Sequence, residues 1–334
     1  MEAGARLRGG IAGCGFFGQI QLEAWRRMPE AEIVAAADPD PARAAAAAPR
    51  AYRTVEEMLD RERLDFLDIA TRPESHLPLV RLAAARRVAV ICQKPMAPDW
   101  QQCREMVHAA ETGGIRLMIH ENWRWQPWYR AAAERIRSGA IGRPVSYYFR
   151  SRKGDGLGAA PYPAQPYFKD MARLLIYETL VHNFDTARFL FGEIGSVFAQ
   201  TRRLNPVIAA EDQALVLLTH EDGMLGTVDG HRFGWPDTPP LGDAVFEGEE
   251  DVLRLAPSGD LYLGDALAWK NTVTTGYRGD SVLATQRHFI ECLGSGEAFE
   301  TGAQEYLKTV AVVEAAYLSA ARGAPATPAE LQPE

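Results

Sequence analysis

The run Gly13-Cys14-Gly15-Phe16-Phe17-Gly18 constrains this chain more than any other feature, because of what flanks it. A short apolar, strand-like run precedes it, and a helical run, Gln19 to Met28, follows it. In a strand–turn–helix unit, glycines at this spacing allow a tight turn, close backbone approach to a pyrophosphate and close helix–strand packing. The helix N-terminus then faces the phosphates with unpaired N–H groups. The next strand-like run, Ile33 to Ala37, closes on Asp38. That acid falls roughly 20 residues past the last glycine, where a carboxylate accepts hydrogen bonds from an adenosine ribose. Glycine-rich turns alone are common, but in this setting Gly13, Gly15, Phe16, Phe17, Gly18 and Asp38 predict a dinucleotide site. One feature runs against it: Gly9 and Gly10 fall inside the first strand, where glycine weakens packing.

The next hundred residues alternate strand-like and helix-like segments. Pro41–Ala48, Val55–Arg61, Pro78–Arg87 and Trp100–Thr112 read as helices, the last stopped by Gly113-Gly114. Glu32–Ala37, Asp65–Ala70, Val88–Cys92 and Ile115–Ile119 read as strands. Such alternation predicts an α/β domain with a doubly wound parallel sheet, covered by helices on both faces. After about Asn122 the pattern changes. A helix near Trp128–Ser138 is followed by strand-like runs at Val145–Arg150, Val197–Arg202, Gln213–His220, Met224–His231, Asp243–Glu247 and Val252–Ala256. Turn signals join them, as in a mostly antiparallel sheet. Helices at Asp280–Leu293 and Gln304–Arg322 precede a Pro/Ala tail expected to be disordered. At 334 residues two domains are expected, 1–122 and 123–334.

Charge and cysteine usage narrow the class. A net charge of -8 argues against nucleic acid or an anionic membrane surface as partner. Cys14, Cys92, Cys103 and Cys292 are scattered without CxxC spacing, so neither a disulfide framework nor a zinc site is expected, and no metal is assigned. Met1 to Gly10 lacks the apolar core of a signal peptide, and no stretch is apolar enough to span a bilayer. A cytoplasmic enzyme or sensor is the expectation.

Three constellations carry chemistry. Gln93-Lys94-Pro95 follows the strand ending at Cys92, and ligands of doubly wound sheets bind outside the carboxyl ends of the strands. Lys94 would point its ammonium there, unless it is an ordinary surface lysine, and Pro95 biases it to an extended backbone. Thr71, Pro73 and His76 end the preceding strand on the same edge, suited to a nicotinamide ribose. His120, Glu121 and Asn122 end the last strand, before Trp123, Trp125, Trp128 and Tyr129 interleaved with Arg124 and Arg130. Such a cluster serves a nucleic-acid platform or, more commonly, a tryptophan-packed domain junction. Finally, at 100° per residue Glu178, His182 and Asp185 share one helical stripe. That stripe is either a solvated polar face or an imidazole oriented by a carboxylate one turn away.

Gly13-x-Gly15-x-x-Gly18, Thr71-x-Pro73-x-x-His76, Lys94-Pro95 and Glu178…His182…Asp185, in this order, resemble the Gfo/Idh/MocA oxidoreductases over nearly the whole chain. The resemblance implies a Rossmann domain plus a C-terminal α/β domain with an open sheet whose face often makes dimer contacts. It also implies hydride transfer between NAD or NADP and a hydroxyl of a sugar, polyol or related compound. The family's Glu-Lys-Pro maps to Gln93-Lys94-Pro95, and its catalytic Asp-x-x-x-His maps to Glu178-x-x-x-His182. Gln93 cannot carry the acid's charge, which leaves Lys94 without that neighbouring anion. Glu178 is one methylene longer than the usual Asp, which changes its reach to the imidazole. Gln93-Lys94-Pro95, His120–Arg130 and Tyr177–Glu193 are similar to the D-apiose dehydrogenase group within the family.

On this reading His182 is the base that removes the hydroxyl proton and touches substrate, Lys94 holds the developing alkoxide, and Glu178 orients His182. Gln93 and Lys94 join the cofactor contacts. Asn122, Arg124, Arg150 and the Gly154–Pro166 loop are candidate sugar contacts. Asp38 with Asp40 following it predicts NAD rather than NADP. A homodimer or homotetramer is expected. The competing readings are a silent NAD/sugar sensor, and an epimerase or glycosidase that uses NAD only transiently.

Overall fold

The computed structural model describes residues 6–234 and 243–331. Its strands are β1 (Leu7–Ala12), β2 (Ala31–Ala37), β3 (Arg50–Tyr52), β4 (Phe66–Ile69), β5 (Ala89–Gln93), β6 (Leu117–His120) and β7 (Pro144–Arg152). β8 (Ile194–Arg202), β9 (Gln213–His220), β10 (Leu225–His231), β11 (Asp243–Gly248), β12 (Val252–Leu255), β13 (Leu261–Leu263) and β14 (Ala266–Trp269) follow. The α-helices are α1 (Phe16–Arg26), α2 (Pro41–Ala47), α3 (Val55–Arg61), α4 (His76–Ala85), α5 (Trp100–Gly113), α6 (Pro127–Arg137), α7 (Val181–Phe191), α8 (Ser281–Ser295) and α9 (Ala303–Arg322).

The chain divides into two compact units, Met1–Trp125 with Thr274–Leu307, and Gln126–Val273 with Lys308–Glu334. The first unit therefore takes in α8, which the sequence boundary near residue 122 had assigned to the second domain. The reason is hydrophobic: Phe289 of α8 meets Phe66 of β4 edge-to-face at 5.6 Å and stacks on Phe299 at 5.3 Å. Trp25 of α1 completes this buried cluster, 4.9 Å from Phe66.

Within the first unit the sheet order is β3-β2-β1-β4-β5-β6. Every neighbouring pair runs parallel. Strand order reverses between β1 and β4, and their carboxyl ends form the switch point where such sheets bind ligands. Gly9, the apparent weakness in β1, is required by packing. A Cβ there would lie 2.3 Å from the Phe66 ring and 2.8 Å from Ile33 Cδ1.

The second unit carries a sheet ordered β14-β13-β12-β11-β7-β10-β9-β8. β7 and β10 pair in parallel and the other neighbours are antiparallel. One face is covered by helices: Tyr147 of β7 stacks on Phe191 of α7 at 4.9 Å, and Phe149 meets Tyr129 of α6 at 6.1 Å. The opposite face leaves Leu215, Leu217, Leu225 and Leu267 exposed. Two short strands, β13 and β14, and the three-residue β3 escaped the sequence reading, because runs this brief show no periodicity. The tail expected to be disordered is in part ordered. Ala326 is buried and exchanges backbone hydrogen bonds of 2.8 and 2.9 Å with Val197, and Pro328–Leu331 forms a 3-10 turn.

Candidate active site

The glycine turn closes at the switch point as its spacing requires. Gly13 takes φ +87°, and a Cβ there would lie 2.9 Å from Ala70 O and Thr71 Cγ2. A Cβ on Gly18 would meet Gly13 O at 2.2 Å, so the third glycine sets the close approach of α1 to the turn. Nothing lies within 4 Å of the Gly15 Cβ position, and Gly15 caps α1 without a side-chain hydrogen bond. Phe16, the first residue of α1, is 51% exposed. At the end of β2, buried Asp38 accepts hydrogen bonds from Cys14 N at 2.8 Å and Asp40 N at 2.9 Å. A carboxylate has about four lone-pair positions, so roughly two remain for a ribose. Arg43, the nearby cation, is paired with Asp40 at 3.3 Å. An uncapped helix start, a backbone-only cradle and an acid one strand away fit a dinucleotide.

The remaining first-unit candidates line the same sheet edge in differing ways. Thr71 Oγ1 accepts from Ser75 Oγ at 2.6 Å, and Pro73 is buried. His76 is buried with Nδ1 3.1 Å from Met96 O and Nε2 3.1 Å from Thr71 O, so it ties two loops together. Phe17 lies edge-on to His120 at 6.3 Å and to Tyr277 at 5.5 Å. His120 is wholly buried with no hydrogen-bond partner for either ring nitrogen among the described residues, and burial pushes it down to about 4, hence neutral. Gln93 Oε1 accepts from Lys94 N at 2.7 Å, and the Lys94–Pro95 peptide bond is cis.

The chain neighbour of Lys94 is the neutral amide of Gln93, as the sequence implies. Glu121, just past the end of the adjacent strand, is buried, and the Lys94 charge acts on its carboxyl. Asn122 Nδ2 donates to Ser281 Oγ at 2.8 Å, and Arg124 pairs with Glu300 at 3.8 Å; both are buried with protein partners. The aromatic cluster is divided between the units. Trp123 lies under Arg278 at 4.8 Å and Trp125 packs on His288 at 4.6 Å, while Trp128 and Tyr129 belong to the second unit.

In the second unit the helical stripe is not one α-helix. Leu175–Leu180 winds as a π-helical turn that runs into α7, so Glu178 and His182 do not follow uniform 100° steps. Such turns recur at functional sites. Gly230 of β10 lets this turn approach, since a Cβ there would lie 2.7 Å from Leu180 Cδ2. His182 is buried, and Asp185 accepts from Thr309 Oγ1 at 3.1 Å inside the unit. Glu178 Oε2 accepts from Thr179 Oγ1 at 2.8 Å and from Arg232 Nη1 at 3.1 Å.

Arg232 was missed from sequence, where one arginine after a strand carries no signal. It is 4% exposed, its guanidinium grips both oxygens of Asp155, and it lies over the Tyr162 ring at 4.6 Å. Asp155 and Tyr162 come from the Gly154–Pro166 loop that composition had marked as site-lining. Arg150 is not brought to this group. Its neighbours in β7, Phe149 and Tyr147, face the helices, whereas Arg150 pairs in register with Asp229 on the open face.

Residues 7–121 match the family model described as oxidoreductase family, NAD-binding Rossmann fold, and residues 129–247 match the Gfo/Idh/MocA C-terminal domain. The chain belongs to the Gfo/Idh/MocA oxidoreductases. It is 40% identical to a D-apiose dehydrogenase of Paraburkholderia graminis, over 95% of this chain and 88% of that protein. A D-apiose dehydrogenase of Rhizobium rhizogenes is 36% identical, over 95% of this chain and 96% of that one. An oxidoreductase from Agrobacterium radiobacter, crystallised with NAD+, L-tartaric acid and magnesium, superposes with TM-score 0.90 at 35% identity, covering 98% of this chain and all of that one. As a Gfo/Idh/MocA member the chain is an NAD-dependent oxidoreductase. No helix among the described residues is long and apolar enough to cross a membrane.

Proposed function

We propose that this enzyme oxidises a secondary or hemiacetal hydroxyl of a small sugar, with D-apiose the first candidate. The observation that carries the reading is Lys94 on the carboxyl edge of the parallel sheet that also holds the glycine cradle. The names of the two D-apiose dehydrogenases support the sugar class. The chemistry supplied by bound nicotinamide is hydride transfer. Gly13, Gly15 and Gly18 with the start of α1 hold the pyrophosphate, and Asp38 takes the adenosine ribose. Phe16, Phe17, Thr71, Pro73, His76 and Gln93 complete the cofactor's surroundings. Lys94 stabilises the negative charge developing on the substrate oxygen, and His182 accepts the hydroxyl proton. Glu178, itself held by Arg232 and Thr179, sets the position of the helix start that carries His182. Asn122 and Arg124 act on the sugar through the shape they give the sheet edge. The four buried free thiols support a cytoplasmic location. The exposed leucines of the open sheet face support a homodimer or homotetramer formed through that face.

The test is NADH formation by the purified protein with D-apiose, inositol, tartrate and a panel of aldoses, with NADP in parallel. NADH formed on D-apiose is the expected result. Binding of NAD without oxidation of any of these would favour the sensor, and conversion of sugar without net NADH would favour the transient-NAD enzyme.

A further inference from the structure

Lys94 and Glu121 are the first residues beyond two adjacent parallel strands. Gln93 of β5 is in register with His120 of β6, so the two following residues leave the sheet side by side. Glu121 is 0% exposed. Its Oε1 accepts from Trp123 N at 3.0 Å and its Oε2 from Tyr306 Oη at 3.0 Å, with Tyr306 reaching in from α9. The Trp123 N–H and the Tyr306 hydroxyl touch this carboxyl, and the Lys94 and Arg124 charges act on it. Gln93, the chain neighbour of Lys94, is neutral, and its Oε1 is taken up by the Lys94 backbone N–H. A charge buried at this depth is costly unless it is paired and hydrogen-bonded, and both oxygens of Glu121 are hydrogen-bonded.

We propose that Glu121 is the positioning residue of Lys94: its carboxylate holds the ammonium at the sheet edge where it meets the substrate oxygen. This rests on the dehydrogenase reading for its catalytic meaning, but the pairing itself does not. Burial raises the Glu121 carboxyl to about 6, against the Trp123 N–H, Lys94, Tyr306 and Arg124, which lower it. The carboxylate is therefore formed above that pH, and the hold on Lys94 weakens as pH falls through it.

The first test reads the pairing without catalysis. Lysines are trace-acylated with acetic anhydride at pH 8 and quantified by peptide mass spectrometry, with Lys169 and Lys270 as internal standards. An ammonium held against a carboxylate is less available for acylation than one that has lost it. Glu121→Gln, which keeps size and a hydrogen-bond acceptor, should therefore raise Lys94 labelling relative to the standards. Tyr306→Phe, which keeps the carboxylate, should raise it less. Unchanged Lys94 labelling in Glu121→Gln overturns the proposal. The second test reads catalysis: Glu121→Gln should lower kcat about tenfold with KM for sugar within about twofold, and add nothing in a Lys94→Ala background. A full additive loss in that background would mean that Glu121 acts independently of Lys94, and the proposal fails. A wild type without dehydrogenase activity would sink the functional reading alone, leaving the labelling to decide the pairing.

Discussion

Replacing Asp38 with Ala separates the electrostatic and structural duties of one carboxylate. NADP would bring a 2′-phosphate of about -1.5 to -2 charges to the ribose that Asp38 faces. At ~5 Å and an effective dielectric near 20, each unit of charge is repelled by ~3 kcal/mol. Allowing for solvent at the site, ~3 kcal/mol in all is a conservative figure, or ~100-fold in kcat/KM. Arg43 offers little relief, being exposed and engaged with Asp40. Wild type should therefore prefer NAD by at least ~100-fold, and Asp38→Ala should narrow the ratio to within ~tenfold. The same change strips the acceptor from Cys14 N and Asp40 N. An N–H left unpaired in a buried place costs about 1–3 kcal/mol, which at about 2–4 °C per kcal/mol predicts a Tm lower by about 2–12 °C. Initial rates with both cofactors, taken at a temperature where each protein is folded, and thermal melts give the two readouts. A wild type that uses both cofactors equally refutes the electrostatic argument. So does a folded Asp38→Ala enzyme that still rejects NADP.

Lys94→Ala should cut kcat about 100- to 1,000-fold while NAD binding, followed by quenching of tryptophan fluorescence, stays near wild type. His182→Ala should lose about 100- to 10,000-fold in turnover, and Glu178→Gln should lose less, because Arg232 keeps Asp155 as its second partner. Near-normal turnover in His182→Ala would return this residue to a packing role. Asp68 gives a pH prediction for stability. Burial raises its carboxyl from 3.8 to about 7, opposed by the Trp25 N–H. An acid raised in the folded state contributes stability below its unfolded value, and that contribution is lost as pH rises through about 7. The span corresponds to ~4 kcal/mol at most. Asp68→Asn should accordingly gain Tm on wild type between pH 5 and pH 8; a constant difference across that range would contradict it.

Much of the first unit was legible from the chain because its signals are local. Three glycines, a strand before them and an acid after them need no distant partner to be read, and the positions of Lys94 and Thr71 follow from the rule that ligands meet the carboxyl ends of parallel strands. The helix and strand periods of the second unit were also largely legible, β9 to the residue. What sequence could not decide depended on distant residues meeting. The meaning of Gly9 rests on Phe66, the assignment of α8 rests on Phe289, and the partner of the buried Glu121 is Tyr306, far along the chain. Arg232 became visible only when β10 placed it against Asp155 and Glu178. Arg150 could be separated from the His182 side only once the strand's alternation had two different faces to point to. Spacing along a chain determines turns, periods and strand ends, because these are set within a few residues. Burial, charge pairing and the choice of sheet face are set by residues far apart in sequence, so the tertiary structure decided them.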